Sequence, residues 1–258
     1  MGIDFHNEKS RFTYTTRTAD SAWKEKIAEF VSVEQITNAL DIGCGGGIYS
    51  KALSDMGIDS VTGVDFSEEI LEGARENCKD YKNLSLRYGN AYDTGLNSHC
   101  FDLVLERAII HHLEDLHHCF KEAYRVLKNG GFYIIQDRTP DDCLLEGSVN
   151  HIRGYLFELF PKLIDKEVRR RYTSQTVWET LKKVGFREIE EVKLWETRRE
   201  YSNKEQLLED LSERTGRSIL HELNDNELKK LITHVDESLS NDNTVIEKDR
   251  WTIWKAVK

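Results

Sequence analysis

The sequence predicts an α/β protein with a doubly wound, mostly parallel, seven-stranded sheet, helices on both faces and helical cap insertions. Between residues 38 and 137, short apolar runs that suit β-strands alternate with stretches of helical periodicity. The first of these runs leads straight into a glycine-rich turn. Such a turn is typical of sheets that bind ligands at the carboxyl ends of their strands.

The elements follow in an order that alternates strand and helix. After the first strand and its turn, Ile48 and Ala52 begin a helical pattern, and Ser67 precedes a second helix as its expected N-cap. A third helix carries Leu116 and Phe120 on one face. Later helical patterns cover residues 155–171 and 174–183. The strands are predicted at residues 39–42, 60–64, 84–88, 101–105, 131–136, 189–195 and 251–257.

The chain has few prolines and lacks a flexible linker, so we expect the helical blocks to be insertions in one domain. Aromatic side chains at Tyr155, Phe157 and Phe160 are candidates either for a substrate pocket or for the core of the insertion. The predicted segments are an N-terminal helical part at 1–37, a sheet core at 38–137, a helical cap at 138–175, a return to the core at 176–199, a helical insertion at 200–245 and a last strand at 246–258.

The composition narrows the classes of partner and compartment. The formal charge is −10, which argues against a nucleic-acid partner because a phosphate backbone would be repelled. No apolar run is long enough to cross a bilayer and no secretory leader is evident, so we expect a cytoplasmic protein without a membrane partner. The basic run at residues 169–171 is interpreted as a solvated helix end.

The glycine-rich turn is the strongest chemical signal. Gly43, Gly45 and Gly47 permit positive φ and leave bare backbone against which a ligand can lie. A dinucleotide fingerprint requires a further glycine where this chain has Ile48. Asp41, just before the turn, would repel a pyrophosphate, which makes a nicotinamide cofactor a poor match.

The run from Leu40 to Gly47, with its D-x-G-x-G-x-G pattern, resembles motif I of the class I, Rossmann-like S-adenosylmethionine-dependent methyltransferases. The resemblance implies S-adenosylmethionine as cofactor and S-adenosylhomocysteine as product. It also implies that Asp41, Gly43, Cys44 and Gly45 lie against the methionine part of the cofactor.

Further matches to this family follow in the expected order. Asp65, at the end of the second strand, is implied to bind the ribose hydroxyls, and Phe66 to lie against adenine. An alternative for Asp65 is a helix cap, although Ser67 already suits that role. Asn90 and Ala91 resemble the family's Gly-Asp-Ala segment, with the Asn90 oxygen available to the adenine amino group.

The end of the fourth strand and the loop after it complete the resemblance. Glu106 and Arg107 are implied to lie under the methionine, while His111 and His112 point towards the substrate. One of the two histidines is a candidate general base, because the usual imidazole pKa is close to neutral. A capping or packing role is the alternative. A metal site is disfavoured because adjacent helical histidines face different directions and no acid or thiolate set completes it.

Residues near the N-terminus resemble the segment that folds over the cofactor in many relatives. Arg17 would hold the methionine carboxylate through a bidentate pair, and Tyr14 would donate a hydrogen bond to it. The alternative is the start of a surface helix.

Together these motifs predict transfer of a methyl group to an O, N or C nucleophile of a small-molecule acceptor. A non-catalytic protein that binds S-adenosylmethionine or a nucleoside is one alternative, and an NAD-dependent oxidoreductase is another. The amphipathic helices of the insertions are compatible with either a monomer or a homodimer.

Overall fold

The computed structural model describes residues 18–214, 217–240 and 244–258, and these divide into two compact units. The sheet unit contains the described residues up to 137 together with residues 174–194 and 252–258. The helical unit contains residues 138–173 and the described part of 195–251. The two helical blocks predicted separately from the sequence therefore contribute to the same unit.

Strands β1 to β7 form a seven-stranded sheet in the order β3-β2-β1-β4-β5-β7-β6. The pairs β1–β2, β1–β4, β2–β3 and β4–β5 are parallel, and β5–β7 is antiparallel. The α/β prediction is thus confirmed, and the mixed sheet is broadly consistent with the mostly parallel one that the sequence predicts. The strands are β1 Asn38–Ile42, β2 Ser60–Asp65, β3 Leu84–Tyr88, β4 Phe101–Arg107, β5 Leu127–Asp137, β6 Arg187–Tyr201 and β7 Val245–Val257.

The described helices are all too short or too polar to cross a bilayer. Those of the sheet unit are α1 Ser21–Phe30, α2 Ile48–Asp55, α3 Glu68–Asn77, α4 Leu116–Val126 and α8 Ser174–Val184, and those of the helical unit are α5 Pro140–Cys143, α6 Ile152–Leu159, α7 Ile164–Val168, α9 Lys204–Ser212 and α10 Asp225–Ser238.

The sheet unit is held by an apolar cluster that includes Trp23, Leu53, Leu103 and Ile134, all completely buried. Strand β1 is buried along most of its length, which explains why its sequence is a continuous apolar run apart from Asp41. The N-cap prediction for Ser67 is confirmed, because its side chain accepts a hydrogen bond from the backbone of Ile70 in the first turn of α3.

The helical unit has its own apolar cluster, and its helices are shorter than the sequence pattern predicted. The helix expected over residues 155–171 is broken at Pro161, since a proline lacks an N–H donor and disfavours helical geometry in the residue before it. Tyr155, Phe157 and Phe160 are buried in this cluster, so they form core. Their apolar neighbours come from α9 and α10.

The basic run after α7 is only partly a solvated helix end. Arg169 is exposed, with 83% of its side chain accessible. The expectation is wrong for Arg171, whose side chain is 1% exposed and is paired with Glu167. An arginine can be buried in this way because a carboxylate compensates its charge.

Candidate active site

The glycine-rich turn is pinned to the neighbouring strand. The backbone N–H groups of Gly43 and Cys44 both donate to the Val64 carbonyl oxygen, at 2.7 and 3.0 Å. Gly43 has a φ of +72°, and a Cβ at this position would lie 2.4 Å from Cδ1 of Ile109. Glycine is therefore required here for both backbone conformation and space, and the turn is held at the carboxyl end of β1.

Asp65 joins the glycine-rich turn to the start of α3. Its Oδ2 accepts a hydrogen bond from the Gly45 N–H at 2.9 Å, and its Oδ1 accepts one from the Ser67 N–H at 3.0 Å. Phe66 follows with 41% of its surface exposed, which leaves a flat apolar face at this edge of the sheet. The Asp65 carboxylate thus shapes the loops on which a ribose and an adenine would lie. The contact of Asp65 with the ribose and that of Phe66 with the adenine stay predictions.

Asp41 lies beneath the turn and is buried. It accepts a hydrogen bond from Ser50 Oγ at 2.6 Å. Burial raises the pKa of Asp41 to about 6, with a further rise from the Asp65 charge, while the Ser50 hydrogen bond and the Arg107 charge lower it. Asp41 is therefore placed to fix the first turn of α2 inside the unit.

Arg107 extends along the same edge of the sheet. Its guanidinium carbon lies 4.1 Å from the centre of the Tyr49 ring, and its Nε donates to Gln136 Oε1 at 3.1 Å. The Tyr49 ring in turn packs edge-on against Trp23, with ring centres 4.8 Å apart. This stack brings α1, α2 and the ends of β4 and β5 together at the candidate site.

The neighbouring Glu106 points in a different direction. Its side chain is completely buried, and its Oε2 accepts a hydrogen bond from the Cys119 thiol of α4 at 3.2 Å. Burial raises the pKa of Glu106 to about 7, although the hydrogen bond from Cys119 and the nearby Tyr133 hydroxyl act in the opposite sense. Only the backbone of Glu106 is left to meet the predicted cofactor contact.

Asn90 shapes the loop that follows β3. Its side-chain oxygen accepts hydrogen bonds from the backbone N–H groups of Tyr92 and Asp93, at 2.8 and 3.0 Å. Ala91 beside it is 4% exposed. These two hydrogen bonds use both lone pairs of the Asn90 oxygen. The contact between this oxygen and the adenine amino group stays a prediction.

His111 makes the polar arrangement of most chemical interest. Its Nδ1 lies 2.8 Å from Oδ2 and 3.0 Å from Oδ1 of Asp137, and its backbone N–H donates to Oδ2 at 3.3 Å. Asp137 is 1% exposed at the end of β5. Because an ionised carboxylate only accepts, Nδ1 carries the proton and Nε2 presents a lone pair.

His112 packs beside this pair, with its ring centre 4.0 Å from that of His111. Asp137 is not among the site residues predicted from the sequence, although an acid at the carboxyl end of a parallel strand was the available signal. In the part of the chain that the structure describes, no group of three or more histidine, cysteine or acidic residues is arranged to hold a metal ion. The predicted contacts of Tyr14 and Arg17 lie outside the described residues.

The sheet order, the glycine-rich turn after β1 and the acid at the end of β2 are those of a doubly wound, Rossmann-like fold. Residues 40–135 match the family model described as a methyltransferase domain, so this part of the chain is similar to that family.

Curated relatives and solved structures are also similar to this chain. A demethylmenaquinone methyltransferase of Staphylococcus aureus is 33% identical over 114 residues, which are 43% of this chain and 47% of that protein. The matched stretch thus spans about half the length of this curated relative.

Two solved structures have the same fold. A protein from Anabaena variabilis, described as a methyltransferase from an antibiotic biosynthesis pathway, superposes with a TM-score of 0.68 at 19% identity, over 93% of this chain and 98% of its own. A phosphoethanolamine N-methyltransferase 2 of Haemonchus contortus, in complex with phosphomonomethylethanolamine and S-adenosylhomocysteine, gives 0.58 at 24% identity, over 100% of this chain and 60% of its own.

Proposed function

We propose that this protein is an enzyme that transfers the methyl group of S-adenosylmethionine to a small-molecule acceptor, with His111 as the general base. The observation that carries the proposal is the hydrogen bond between His111 Nδ1 and the buried Asp137 carboxylate at 2.8 Å. In many unrelated active sites, the base that removes a proton from a nucleophile is a histidine whose other ring nitrogen is hydrogen-bonded to a carboxylate.

The residues at the edge of the sheet fit the proposed cofactor. The turn at Gly43 offers backbone without side chains, and the exposed Phe66 ring beside Asp65 offers an apolar face for a purine. Arg107 is a cation at the same edge, suited to a carboxylate. The similarity of residues 40–135 to the methyltransferase domain family supports the same cofactor over a nicotinamide.

The cofactor supplies an electrophilic methyl group on a sulfonium, so the protein has to position the acceptor and manage one proton. Nε2 of His111 accepts the proton of an acceptor O–H or N–H as the new bond to carbon forms. Asp137 keeps the imidazole in the tautomer with a free Nε2 and stabilises the imidazolium that results. The products are S-adenosylhomocysteine and the methylated acceptor, with the proton on His111.

This assignment of a base is tested by measuring S-adenosylhomocysteine formation with a panel of phenols, amines, amino acids and quinols. We expect one class of acceptor to be methylated by the wild type, and His111→Gln to slow its methylation by about a hundredfold or more. His112→Gln is the matched control and is expected to retain most of the activity. Equal rates for His111→Gln and the wild type would exclude His111 as the base.

A further inference from the structure

The loop that carries His111 is packed on the glycine-rich turn through one apolar side chain. Apart from chain neighbours, the three atoms nearest to a Cβ placed on Gly43 would all belong to Ile109: Cδ1 at 2.4 Å, Cγ1 at 3.2 Å and Cβ at 3.4 Å. The Ile109 side chain therefore fills the space that Gly43 leaves open. This packing joins the loop after β4 to the carboxyl end of β1.

The backbone just before Ile109 has an uncommon conformation. Ala108 has a φ of +56°, which is unfavourable for a residue with a Cβ. Its N–H donates a hydrogen bond to the carbonyl oxygen of Gln136 in β5 at 2.8 Å. A residue keeps such a conformation only where the contacts around it hold it there, and residues of this kind cluster at functional sites. The chain thus leaves β4 in a fixed direction, with Ile109 against Gly43.

Ile109 and His111 belong to the same short turn. Ile109 is the N-cap of the 3₁₀ helix Ile110–His112, and its carbonyl oxygen accepts a hydrogen bond from the His112 N–H at 2.9 Å. His111 lies inside this turn and is bonded to Asp137 through both its backbone N–H and its ring. Because a 3₁₀ turn is tightly wound, a displacement of Ile109 also moves the backbone of His111.

The proposed reaction requires the glycine-rich turn and His111 to be aligned. The turn is expected to hold the methionine part of the cofactor, and His111 to take the proton of the acceptor. A misplacement of about 1 Å between reacting groups can slow a reaction about a hundredfold. We infer, on the basis of the proposed function, that Ile109 is a positioning residue whose contact with Gly43 fixes His111 relative to the bound cofactor.

The contact between Ile109 and Gly43 acts in both directions. A ligand that orders the glycine-rich turn also restricts Ile109, and it thereby reduces local opening of the turn that contains His111. Without the Ile109 side chain, the ligand would still order the glycine-rich turn. The turn with His111 would then open independently of the ligand.

Amide hydrogen exchange of the full chain, with and without S-adenosylhomocysteine, tests this link. Mass spectrometry follows one peptide that covers residues 43–47 and another that covers residues 109–113. In the wild type, the ligand should slow exchange in both peptides by about fivefold or more. In Ile109→Ala, the peptide at 43–47 should keep this protection, while that at 109–113 should fall below about twofold. This readout requires no methyl acceptor.

Two valine variants separate positioning from a general loss of stability. Ile109→Val removes Cδ1, the carbon nearest to Gly43, and keeps Cγ1, so protection of 109–113 should lie between that of the wild type and that of Ile109→Ala. Ile58→Val removes the same carbon from a side chain that is 1% exposed and precedes β2, at the opposite edge of the sheet. It should leave the ligand-induced protection unchanged. A mere loss of stability would affect Ile58→Val at least as strongly, because Ile58 is more deeply buried.

Steady-state kinetics give a second readout with any acceptor that the wild type methylates. Ile109→Ala should lower kcat by about tenfold or more and change the KM for S-adenosylmethionine by less than about threefold, because alignment is lost while the cofactor still binds. Ile58→Val should keep the kcat of the wild type. An unchanged kcat in Ile109→Ala would overturn the positioning role.

The exchange measurement also distinguishes this role from the proposed function. If S-adenosylhomocysteine binds but protects 109–113 equally in the wild type and in Ile109→Ala, or protects it in neither, the role of Ile109 is overturned and the proposed function stands. If the wild type does not bind S-adenosylhomocysteine, both are overturned. If Ile109→Ala does not fold, as judged by circular dichroism, Ile109→Val decides, and protection equal to the wild type's would overturn the role.

Discussion

Replacing Gly43 by alanine tests how the glycine-rich turn is built. At a φ of +72°, a residue with a Cβ costs about 1–2 kcal/mol relative to glycine. The added Cβ would also lie 2.4 Å from Cδ1 of Ile109, more than 1 Å inside the ordinary contact of about 3.5–4.0 Å between carbon atoms. Overpacking of this kind costs about 1–3 kcal/mol. We therefore expect Gly43→Ala to lower the free energy of unfolding by about 2–5 kcal/mol.

Gly95→Ala separates the two contributions. Gly95 has a φ of +67°, but no atom lies within 4 Å of the place that a Cβ would occupy, so only the backbone cost of about 1–2 kcal/mol applies. Urea unfolding followed by circular dichroism measures both variants. Ile109→Val removes the overlapping methyl and should restore about 1–2 kcal/mol to Gly43→Ala in a double-mutant cycle. Equal losses for Gly43→Ala and Gly95→Ala, with no coupling to Ile109, would refute the steric argument.

Three further changes give expected outcomes. Asp137→Asn should lower the methylation rate by about a hundredfold or more, because it changes the tautomer of His111. The affinity for S-adenosylhomocysteine should stay within about twofold of the wild type's. An unchanged methylation rate would contradict the role of Asp137 in orienting His111. The folded chain holds the Glu106 proton up to a pKa of about 7 instead of 4.5, so stability should fall by about 3 kcal/mol as pH rises through this interval. Glu106→Gln should remove this loss in urea titrations at pH 5 and pH 8, and an equal pH dependence in the variant would contradict it. Arg217→Met should destabilise the helical unit by about 3–5 kcal/mol, because Arg217 donates hydrogen bonds to the buried Asp210 and Glu247 at 2.6 Å each. A melting temperature within about 1 °C of the wild type's would contradict this expectation.

The sheet unit could be predicted from the sequence because its signals are local. Buried parallel strands read as apolar runs, and the glycines and Ser67 mark the turns between strand and helix. The helix predicted at 155–171 is too long, because the apolar periodicity continues across Pro161 while the proline interrupts the helical hydrogen bonds.

The polar pairs could not be predicted in the same way. The contact between His111 and Asp137 joins residues that are far apart in the sequence and depends on how the ends of β4 and β5 are aligned. Alternation along β4 sends the Glu106 side chain towards α4, whereas the motif resemblance treats it together with Arg107. The burial of Arg171 against Glu167 likewise depends on tertiary packing, which a run of three arginines does not reveal.

We expect the edge of the sheet at Gly43, Asp65 and Phe66 to bind S-adenosylmethionine. Calorimetric titration of the full chain with S-adenosylhomocysteine tests this binding most directly, with NAD as the competing ligand and Phe66→Ala as the site variant. We predict saturable binding of S-adenosylhomocysteine, none of NAD, and a Kd raised about tenfold in Phe66→Ala through loss of the stacking surface. No binding of S-adenosylhomocysteine, or binding of NAD alone, would contradict the account.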